Sequence, residues 1–363
     1  MSKSKVIAFY LPQFHPIPEN NQWWGEGFTE WTNVAKAKPL FKSHIQPNIP
    51  SELGFYDLRL AETREKQALL AKEHGVDAFC YWHYWLGNGK QLLEKPLQMV
   101  VKNGSPDFPF CLGWANHHWE KKSWNSEISV FNRERLISQE YPGEQDHIDH
   151  FYEMLDTFKD YRYFKVKGKL LFLIYDVRSI PNCKEFLDLW QRLAKDNDLP
   201  GFYFIGTAKD QSSIDYALEI GVDGVLYENL HSTIADISTN RHRMQNVLAT
   251  VLKKPLSVMS YEKFVNKLDY SLVKVNEKVY PSIYPNWDSS PRRGVAGDIL
   301  TGAKPELFKQ HVSDVVNMMS DRNTDDNIIF LKSWNEWAEG NYMEPDIQYG
   351  RGRLKALKDA LGK

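Results

Sequence analysis

The sequence predicts an α/β protein of the (β/α)8 TIM-barrel class, built as a single domain over residues 1–363 with long strand-to-helix loops. Eight short runs rich in β-branched and aromatic residues alternate with segments of helical periodicity, as in a parallel sheet. The first run is followed by Leu-Pro-Gln-Phe-His-Pro, without the glycine-rich phosphate turn that a doubly wound open sheet usually carries there. No linker or internal repeat divides the chain.

The predicted strands follow one another along the whole chain. They cover residues 6–10, 78–84, 110–114, 170–175, 202–206, 224–226, 279–284 and 328–334. Helical segments are predicted at 62–74, 146–158, 185–195 and 305–319. The connections 11–60 and 228–278 are long, and because the loops after barrel strands carry the active site, we expect them to form walls of a substrate cleft.

Composition excludes several classes of protein. The formal net charge of -2 provides no field that favours nucleic acid or an anionic membrane surface. No stretch approaches the length of a membrane span, and the N-terminus lacks the apolar region of a signal peptide. We therefore expect a cytoplasmic protein without membrane insertion, unless a signal has been trimmed. The three cysteines do not form a disulfide framework, and the sequence contains no indication of the oligomeric state.

The most informative stretch follows the eighth strand and reads Trp-Asn-Glu-Trp-Ala-Glu-Gly over residues 334–340. In a helical turn, residues three apart have Cβ atoms roughly 5–6 Å from each other, and the carboxylates of retaining glycosidases lie about 5–5.5 Å apart. Neighbouring tryptophans can desolvate a carboxyl and raise its pKa, as a general acid requires. A solvated surface turn is the ordinary alternative, but the position at a strand end favours Glu336 and Glu339 as catalytic residues.

The other candidate residues are polar and aromatic side chains at strand ends and in the loop after the first strand. Aromatic residues make up 13% of the chain, and their rings can stack on the apolar faces of sugars, while Asp and Arg can hold sugar hydroxyls. We expect the strand ends to converge on one cleft. The predicted substrate-binding residues are Tyr10, Gln13, His15, Trp24, Glu30, Trp31, His83, Tyr84, Trp85, Trp114, Asn116, Tyr175, Asn286, Trp287, Asp288, Arg292, Trp334, Asn335 and Glu344.

Two short motifs could indicate a metal site or a nucleotide site. His117 and His118 are adjacent, so on an extended segment they point in opposite directions, and no zinc-type spacing accompanies them. We therefore predict no metal and no cofactor. The Asp-Asn-Asp sequence at 196–198 matches a metal-nucleotide motif of glycosyltransferases, but it lies between a helix and the fifth strand, where capping of the helix is the simpler interpretation.

Several motifs together resemble the WbsX family. They are Tyr-Leu-Pro-Gln-Phe-His-Pro-Ile at 10–17, Trp-Trp-Gly-Glu-Gly-Phe-Thr-Glu-Trp-Thr-Asn-Val at 23–34, Tyr-Asp-Leu-Arg at 56–59, residues 81–85, 114–116 and 286–288, and the stretch 334–340. Members of that family are commonly labelled glycosyltransferases of lipopolysaccharide and O-antigen loci. Their fold is similar to that of the endo-α-mannosidases and endo-α-mannanases of glycoside hydrolase family 99.

The resemblance implies roles for the two glutamates. Glu336 would be the base that draws a proton from the substrate's own 2-hydroxyl, and Glu339 the acid that protonates the leaving oxygen. The 2-oxygen would then attack the anomeric carbon and give an anhydro-sugar intermediate with net retention. The family often has a carboxylate and an amide where this chain has His117 and His118. That difference affects a sugar contact and hence the choice of substrate.

Three functions follow from these observations. The first is a retaining glycoside hydrolase with endo-α-mannosidase-like chemistry, acting on an oligosaccharide or polysaccharide such as a bacterial surface glycan. The second is a glycosyltransferase of lipopolysaccharide or O-antigen biosynthesis. The third is a carbohydrate-binding barrel without catalysis, against which the intact pair Glu336 and Glu339 argues.

Overall fold

Eight parallel strands close into a barrel in the computed structural model, which describes residues 4–121, 134–238, 248–322 and 327–363. Each strand pairs with the next, and the last pairs with the first through Lys5 opposite Ile328. The predicted (β/α)8 fold is confirmed. The strands are β1 (Lys5–Tyr10), β2 (Ala78–Trp85), β3 (Phe110–Trp114), β4 (Lys169–Ile174), β5 (Phe202–Ala208), β6 (Gly224–Tyr227), β7 (Val279–Ile283) and β8 (Ile328–Leu331).

The strands are apolar on both faces, because one face fills the barrel and the other is covered by helices. Every residue of β3, β6, β7 and β8 is buried. The predicted eighth strand was longer, to residue 334, but the ladder of β8 ends at Leu331. Beyond it, the backbone still donates from Lys332 to Ile283 and from Trp334 to Phe9, so the chain remains attached to β7 and β1.

Helices cover the barrel and decorate its loops. The predicted helix over 146–158 is divided into two helices. Among the described residues, no helix combines the length and the apolar character needed to cross a membrane. The outer helices are Ala61–Glu73, Lys95–Asn103, Glu144–Glu153, Leu155–Lys159, Cys183–Asp196, Gln211–Ile220, Pro305–Met318 and Gly352–Leu361. Shorter helices lie in the strand-to-helix loops, at Pro18–Trp24, Glu30–Lys36, Leu230–Ile237, Tyr261–Lys267, Ser271–Val275 and Ser290–Arg293.

Short strand pairs lie outside the barrel ladder. Trp119–Glu120 pairs with Arg135–Ile137, Val258–Ser260 with Ile299–Thr301, and Asn335–Glu336 with Asn341–Tyr342. Two further short strands, Gln91–Leu92 and Lys165–Val166, extend β2 and β4 as antiparallel partners. The pair formed by Asn335–Glu336 and Asn341–Tyr342 follows β8 directly, and it holds the stretch that the sequence singles out.

A buried carboxylate, Glu344, joins the loop after β8 to the loop after β1 and to helix Ala61–Glu73. Its Oε1 accepts from Gln67 Nε2 at 2.6 Å and from Trp334 Nε1 at 2.9 Å. Its Oε2 accepts from Tyr56 Oη at 2.8 Å and from Trp337 Nε1 at 2.6 Å. Burial raises the pKa of Glu344 to about 7, although these four donors lower it. One carboxylate therefore fixes three segments beneath the C-terminal end of the barrel.

We predict that Glu344→Gln lowers the free energy of unfolding by about 3 kcal/mol, measured by urea denaturation. Each oxygen of Glu344 accepts from one indole, so either orientation of the new amide places its NH2 group against the N–H of Trp334 or Trp337. The control is Glu52→Gln, which breaks an exposed ion pair with Arg351 and should cost less than about 1 kcal/mol. Equal losses in the two variants would contradict this role of Glu344.

Candidate active site

A cleft of about 330 Å³ opens at the C-terminal ends of the barrel strands. Loops after six of the eight strands contribute to it, together with the end of β2. Its lining consists of Leu11, Trp82, Tyr84, Ala115, His117, His118, Trp119, Glu120, Tyr175, His231, Trp287, Arg292, Lys332, Glu336 and Glu339.

A single guanidinium, that of Arg292, holds three carboxylates at one side of the cleft. Its Nε and Nη2 lie 2.8 and 2.7 Å from the same oxygen of Glu30. Its Nη1 donates to Glu339 Oε1 at 2.6 Å, and its Nη2 donates to Glu336 Oε2 at 3.1 Å. The three carboxylates come from the loops after β1 and β8, and the arginine comes from the loop after β7. This contact therefore joins three loops and places Glu336 and Glu339 on one guanidinium.

The electrostatics of this cluster follow from burial and from its charge balance. Burial, together with the charge of Glu339, raises the pKa of Glu336 to about 8 against the opposing effect of Arg292. Burial also raises the pKa of Glu30, again opposed by Arg292. Burial alone would lower the pKa of Arg292, but the three carboxylates raise it well above its usual value. The arginine therefore stays charged, and the cluster contains one cation and three acids of which Glu336 is protonated near neutral pH.

The backbone between the two glutamates makes a tight turn. Trp337–Glu339 forms a single 3-10 turn, and Glu336 pairs with Asn341 across the strands that flank it. Gly340 ends the turn with a φ of +59°. The backbone N–H of Asp288 donates to the carbonyl of Glu339 at 2.6 Å, so the loop after β7 also fixes this turn. The turn and its pairing strands hold both carboxylates toward Arg292.

Six of the residues predicted from the sequence line the cleft, and one more contacts it from behind. The six are Tyr84, Tyr175, Trp287, Arg292, Glu336 and Glu339. Glu30 is fully buried behind Arg292, and the guanidinium joins it to the cleft.

Side chains at the ends of β2 and β3 differ from the expectation. Because successive residues of a strand point to opposite faces, Tyr84 faces the cleft while His83 and Trp85 face the outer helices. There, His83 Nε2 lies 2.8 Å from His150 Nε2. Trp114 points the same way, fully buried, and its indole donates to the carbonyl of Trp85. His83, Trp85 and Trp114 therefore pack the outer layer instead of lining the cleft.

Three predicted polar residues tie loops together. Asn335 accepts from the backbone N–H of Leu11 at 2.7 Å and donates to the carbonyl of Leu11 at 3.0 Å. Asn116 makes the same double contact with the backbone of Asp176, at 2.8 and 2.7 Å. Asp288 Oδ2 accepts from the amide of Gln46 and lies 2.8 Å from His44 Nε2. These residues position the walls of the cleft without lining it.

The remaining predicted residues lie behind the cleft walls or beside them. Tyr10 and Trp31 are buried and donate to the side chain of Gln67 and to the carbonyl of Tyr56. Trp334 and Glu344 belong to the buried network under the barrel end. Trp24 packs against Phe28. Gln13 and His15 are fully buried, and burial lowers the pKa of His15 to about 4. Asn286 lines a separate cavity of about 80 Å³.

Several residues that line the cleft were not predicted from the sequence. Trp82 stands two positions before Tyr84, so the alternation of the strand would have found it. Lys332 lines the cleft directly after the apolar run of β8, and its Nζ lies 2.7 Å from Glu228 Oε1. A lysine that directly follows the last apolar residue of a barrel strand could have indicated a cleft residue from the sequence. His231 lies in a loop helix, and nothing in the sequence marks it. Within the described ranges, no three His, Cys, Asp or Glu side chains converge as a metal ion would require.

Comparison with known proteins gives a family match over nearly the whole chain. The family model described as Glycosyltransferase WbsX matches residues 6–357. The chain is 32% identical over 357 residues to an uncharacterised protein, WxcX, from Xanthomonas campestris pv. campestris, covering 98% of this chain and 49% of WxcX. The chain thus spans about half the length of the curated relatives it matches.

Solved structures share the fold at low identity. A family 99 endo-α-mannosidase from Bacteroides thetaiotaomicron, in complex with bis-tris-propane, superposes with a TM-score of 0.58 at 15% identity, covering 100% of this chain and 97% of its own. A glycoside hydrolase-like protein superposes with a TM-score of 0.60 at 14% identity, with 99% and 94% covered. These likenesses establish the barrel architecture.

We predict that Gly340→Ala destabilises the protein more than Gly350→Ala does, in urea denaturation. Both glycines have a positive φ, of +59° and +53°, so each alanine carries a backbone cost of about 1–2 kcal/mol. A Cβ at Gly350 would meet no described atom within 4 Å, whereas one at Gly340 would lie 2.8 Å from the Cβ and 2.9 Å from the backbone N of Asp288. Equal losses would show that the loops after β7 and β8 are not in close contact.

Proposed function

This chain belongs to the WbsX glycosyltransferase family, and we propose that it is a carbohydrate-active enzyme that cleaves a glycosidic bond with retention, using Glu336 and Glu339. The observation that carries the proposal is the placing of both carboxylates on the guanidinium of Arg292 in a cleft at the C-terminal end of the barrel. The substrate is an oligosaccharide or polysaccharide such as a bacterial surface glycan. Trp82, Trp119 and Trp287 line the cleft.

The division of labour follows the resemblance noted in the sequence. Glu336, ionised, accepts the proton of the sugar's 2-hydroxyl. The 2-oxygen then bonds to the anomeric carbon as the bond to the leaving oxygen breaks, and Glu339 transfers its proton to that oxygen. In the second step Glu339 accepts a proton from water, and the water oxygen bonds to the anomeric carbon on the face that the leaving group left. The bond from that carbon to the 2-oxygen breaks and Glu336 returns the proton to the 2-oxygen, so the configuration is retained. Arg292 holds both carboxylates in place through these steps.

The resting cleft and the working cleft differ by the position of one proton. Glu336 holds a proton near neutral pH, because burial and the charge of Glu339 raise its pKa to about 8. Acting as a base requires the loss of that proton. On this assignment, the bound substrate displaces the proton from Glu336 to Glu339, so the pair keeps the one proton that the leaving oxygen needs.

Transfer from a nucleotide sugar is the second candidate function, and the description of the family favours it. The charges of the cleft argue against a diphosphate ligand. Its lining cations Arg292 and Lys332 are already paired with carboxylates, and Glu120, Glu336 and Glu339 also line it. A diphosphate would therefore meet more negative than positive charge. Product analysis with and without a nucleotide sugar separates hydrolysis from transfer.

The two glutamates should respond differently to the leaving group. Glu339→Gln should lose about 10²–10⁴-fold in kcat/KM on a substrate with a poor leaving group, and much less on an activated aryl glycoside, which hardly needs a proton. Glu336→Gln should lose activity on both substrates, because the base acts on the sugar side of the bond. The losses should be strongly non-additive in the double variant.

The control for these variants is Glu52→Gln, the same chemical change at an exposed ion pair, which should leave turnover unchanged. Near-normal turnover of both single variants would remove the carboxylate assignment. Activity that requires a nucleotide sugar as donor, and does not depend on the leaving group of a glycoside, would favour the transferase.

The pH profile tests which glutamate is the base. The assay uses an activated aryl glycoside, whose leaving group needs no proton. Because the pKa of Glu336 is raised to about 8, a base at this position makes kcat/KM rise with pH through about 8 on that substrate, whereas an acid leaves it flat. In Glu339→Gln, assayed on an activated substrate, the charge that raises this pKa is gone, so the rising limb should move to lower pH. A flat profile through pH 8 on the activated substrate would reverse the roles of the two glutamates.

A further inference from the structure

An ion pair lies in the cleft beside the two glutamates and takes no part in the steps above. Lys332, directly after β8, lines the cleft, and its side chain is 15% exposed. Its Nζ lies 2.7 Å from Oε1 of Glu228, whose side chain is 6% exposed and which follows β6. The pair thus spans two strand ends that are not neighbours in the barrel, since β7 lies between them.

The ammonium of Lys332 has donors to spare. It carries three N–H groups, and within the described part of the chain its hydrogen-bond partner is Glu228 alone. Desolvating such a pair costs about as much as the attraction returns, so the pair contributes little net stability. The remaining N–H groups of a partly buried ammonium that lines a cleft are available to an oxygen of a bound molecule.

The surroundings of Lys332 determine which oxygen suits it. Glu228 cancels its charge at 2.7 Å, and Glu336 and Glu339 line the same cleft. A carboxylate or phosphate bound to Lys332 would therefore approach the carboxylates of Glu228 and Glu339, and the cations Lys332 and Arg292 are both already paired with acids. A hydroxyl accepts a hydrogen bond from the ammonium without that repulsion. Tyr175 lines the same cleft as Lys332.

We propose that Lys332 contacts the substrate and that the pair of Lys332 with Glu228 selects a neutral, hydroxyl-bearing sugar unit over uronate-bearing or phosphorylated ones. Lys332 donates to the sugar oxygen, and Glu228 is the positioning residue that neutralises and orients it. This inference rests on the function proposed above, since it assigns a specificity-determining contact within the same cleft.

The test uses an array of neutral, uronate-bearing and phosphorylated oligosaccharides, followed by calorimetry on the glycans that bind. Wild type should bind neutral glycans preferentially. In Lys332→Met/Glu228→Gln, both charges are removed together, and affinity for those glycans should fall about 10-fold or more. The matched control is Lys309→Met/Asp359→Asn, which removes an exposed pair at 3.0 Å on the outer helices and should bind as wild type does.

A second variant gives a readout that a structural role would not move. Glu228→Gln leaves the ammonium uncompensated, so the ratio of uronate to neutral affinity should rise about 10-fold or more. This ratio is measurable even if the double variant fails to fold. Unchanged affinities in the double variant with an unchanged ratio in Glu228→Gln, or a preference of wild type for anionic glycans, would overturn the inference. A wild type that binds and turns over no glycan would instead overturn the proposed function.

Discussion

The position of one guanidinium determines the arrangement of this cleft. Arg292 is buried together with Glu30, and its remaining N–H groups meet Glu336 and Glu339. A guanidinium presents its donors in a rigid planar fork, so a lysine could not hold three carboxylates in the same geometry. Removing Glu30 would remove the contact that holds two of the arginine's nitrogens, Nε and Nη2. Glu30, which is fully buried, therefore helps to orient Glu336 and Glu339 through Arg292.

The barrel itself was predictable because its signals are local. Apolar runs bounded by turn residues mark strands whatever their partners are, and all eight predicted strands correspond to strands of the barrel. The location of the cleft is also predictable, because the loops that follow parallel strands all lie at the C-terminal end of the barrel. Glu336 and Glu339 were found in this way, from a strand end followed by two acids beside tryptophans.

The direction of each side chain was harder to predict. The stretch 83–85 was expected to face the cleft as a block, whereas alternation allows only Tyr84 and its neighbour Trp82 to do so. Asn335, Asn116 and Asp288 were expected to touch sugar, but they bind backbone or side chains of other loops, and a sequence does not reveal such partners when they lie far away in the chain. The pair of Glu228 and Lys332 was not predicted for the same reason, because 104 positions separate the two residues.

The clasp between Asn335 and Leu11 has a consequence for the protein during its synthesis. These two residues are 324 positions apart, and their two hydrogen bonds join the loop after the first strand to the loop after the last. The turn that carries both glutamates lies beyond β8, so it is synthesised after all eight strands. A nascent chain that ends before β8 has an open sheet and lacks both carboxylates. The cleft therefore forms in one step when β8 closes the ring, and proteolytic cleavage of the chain ahead of β8 would separate both glutamates from the other seven strands.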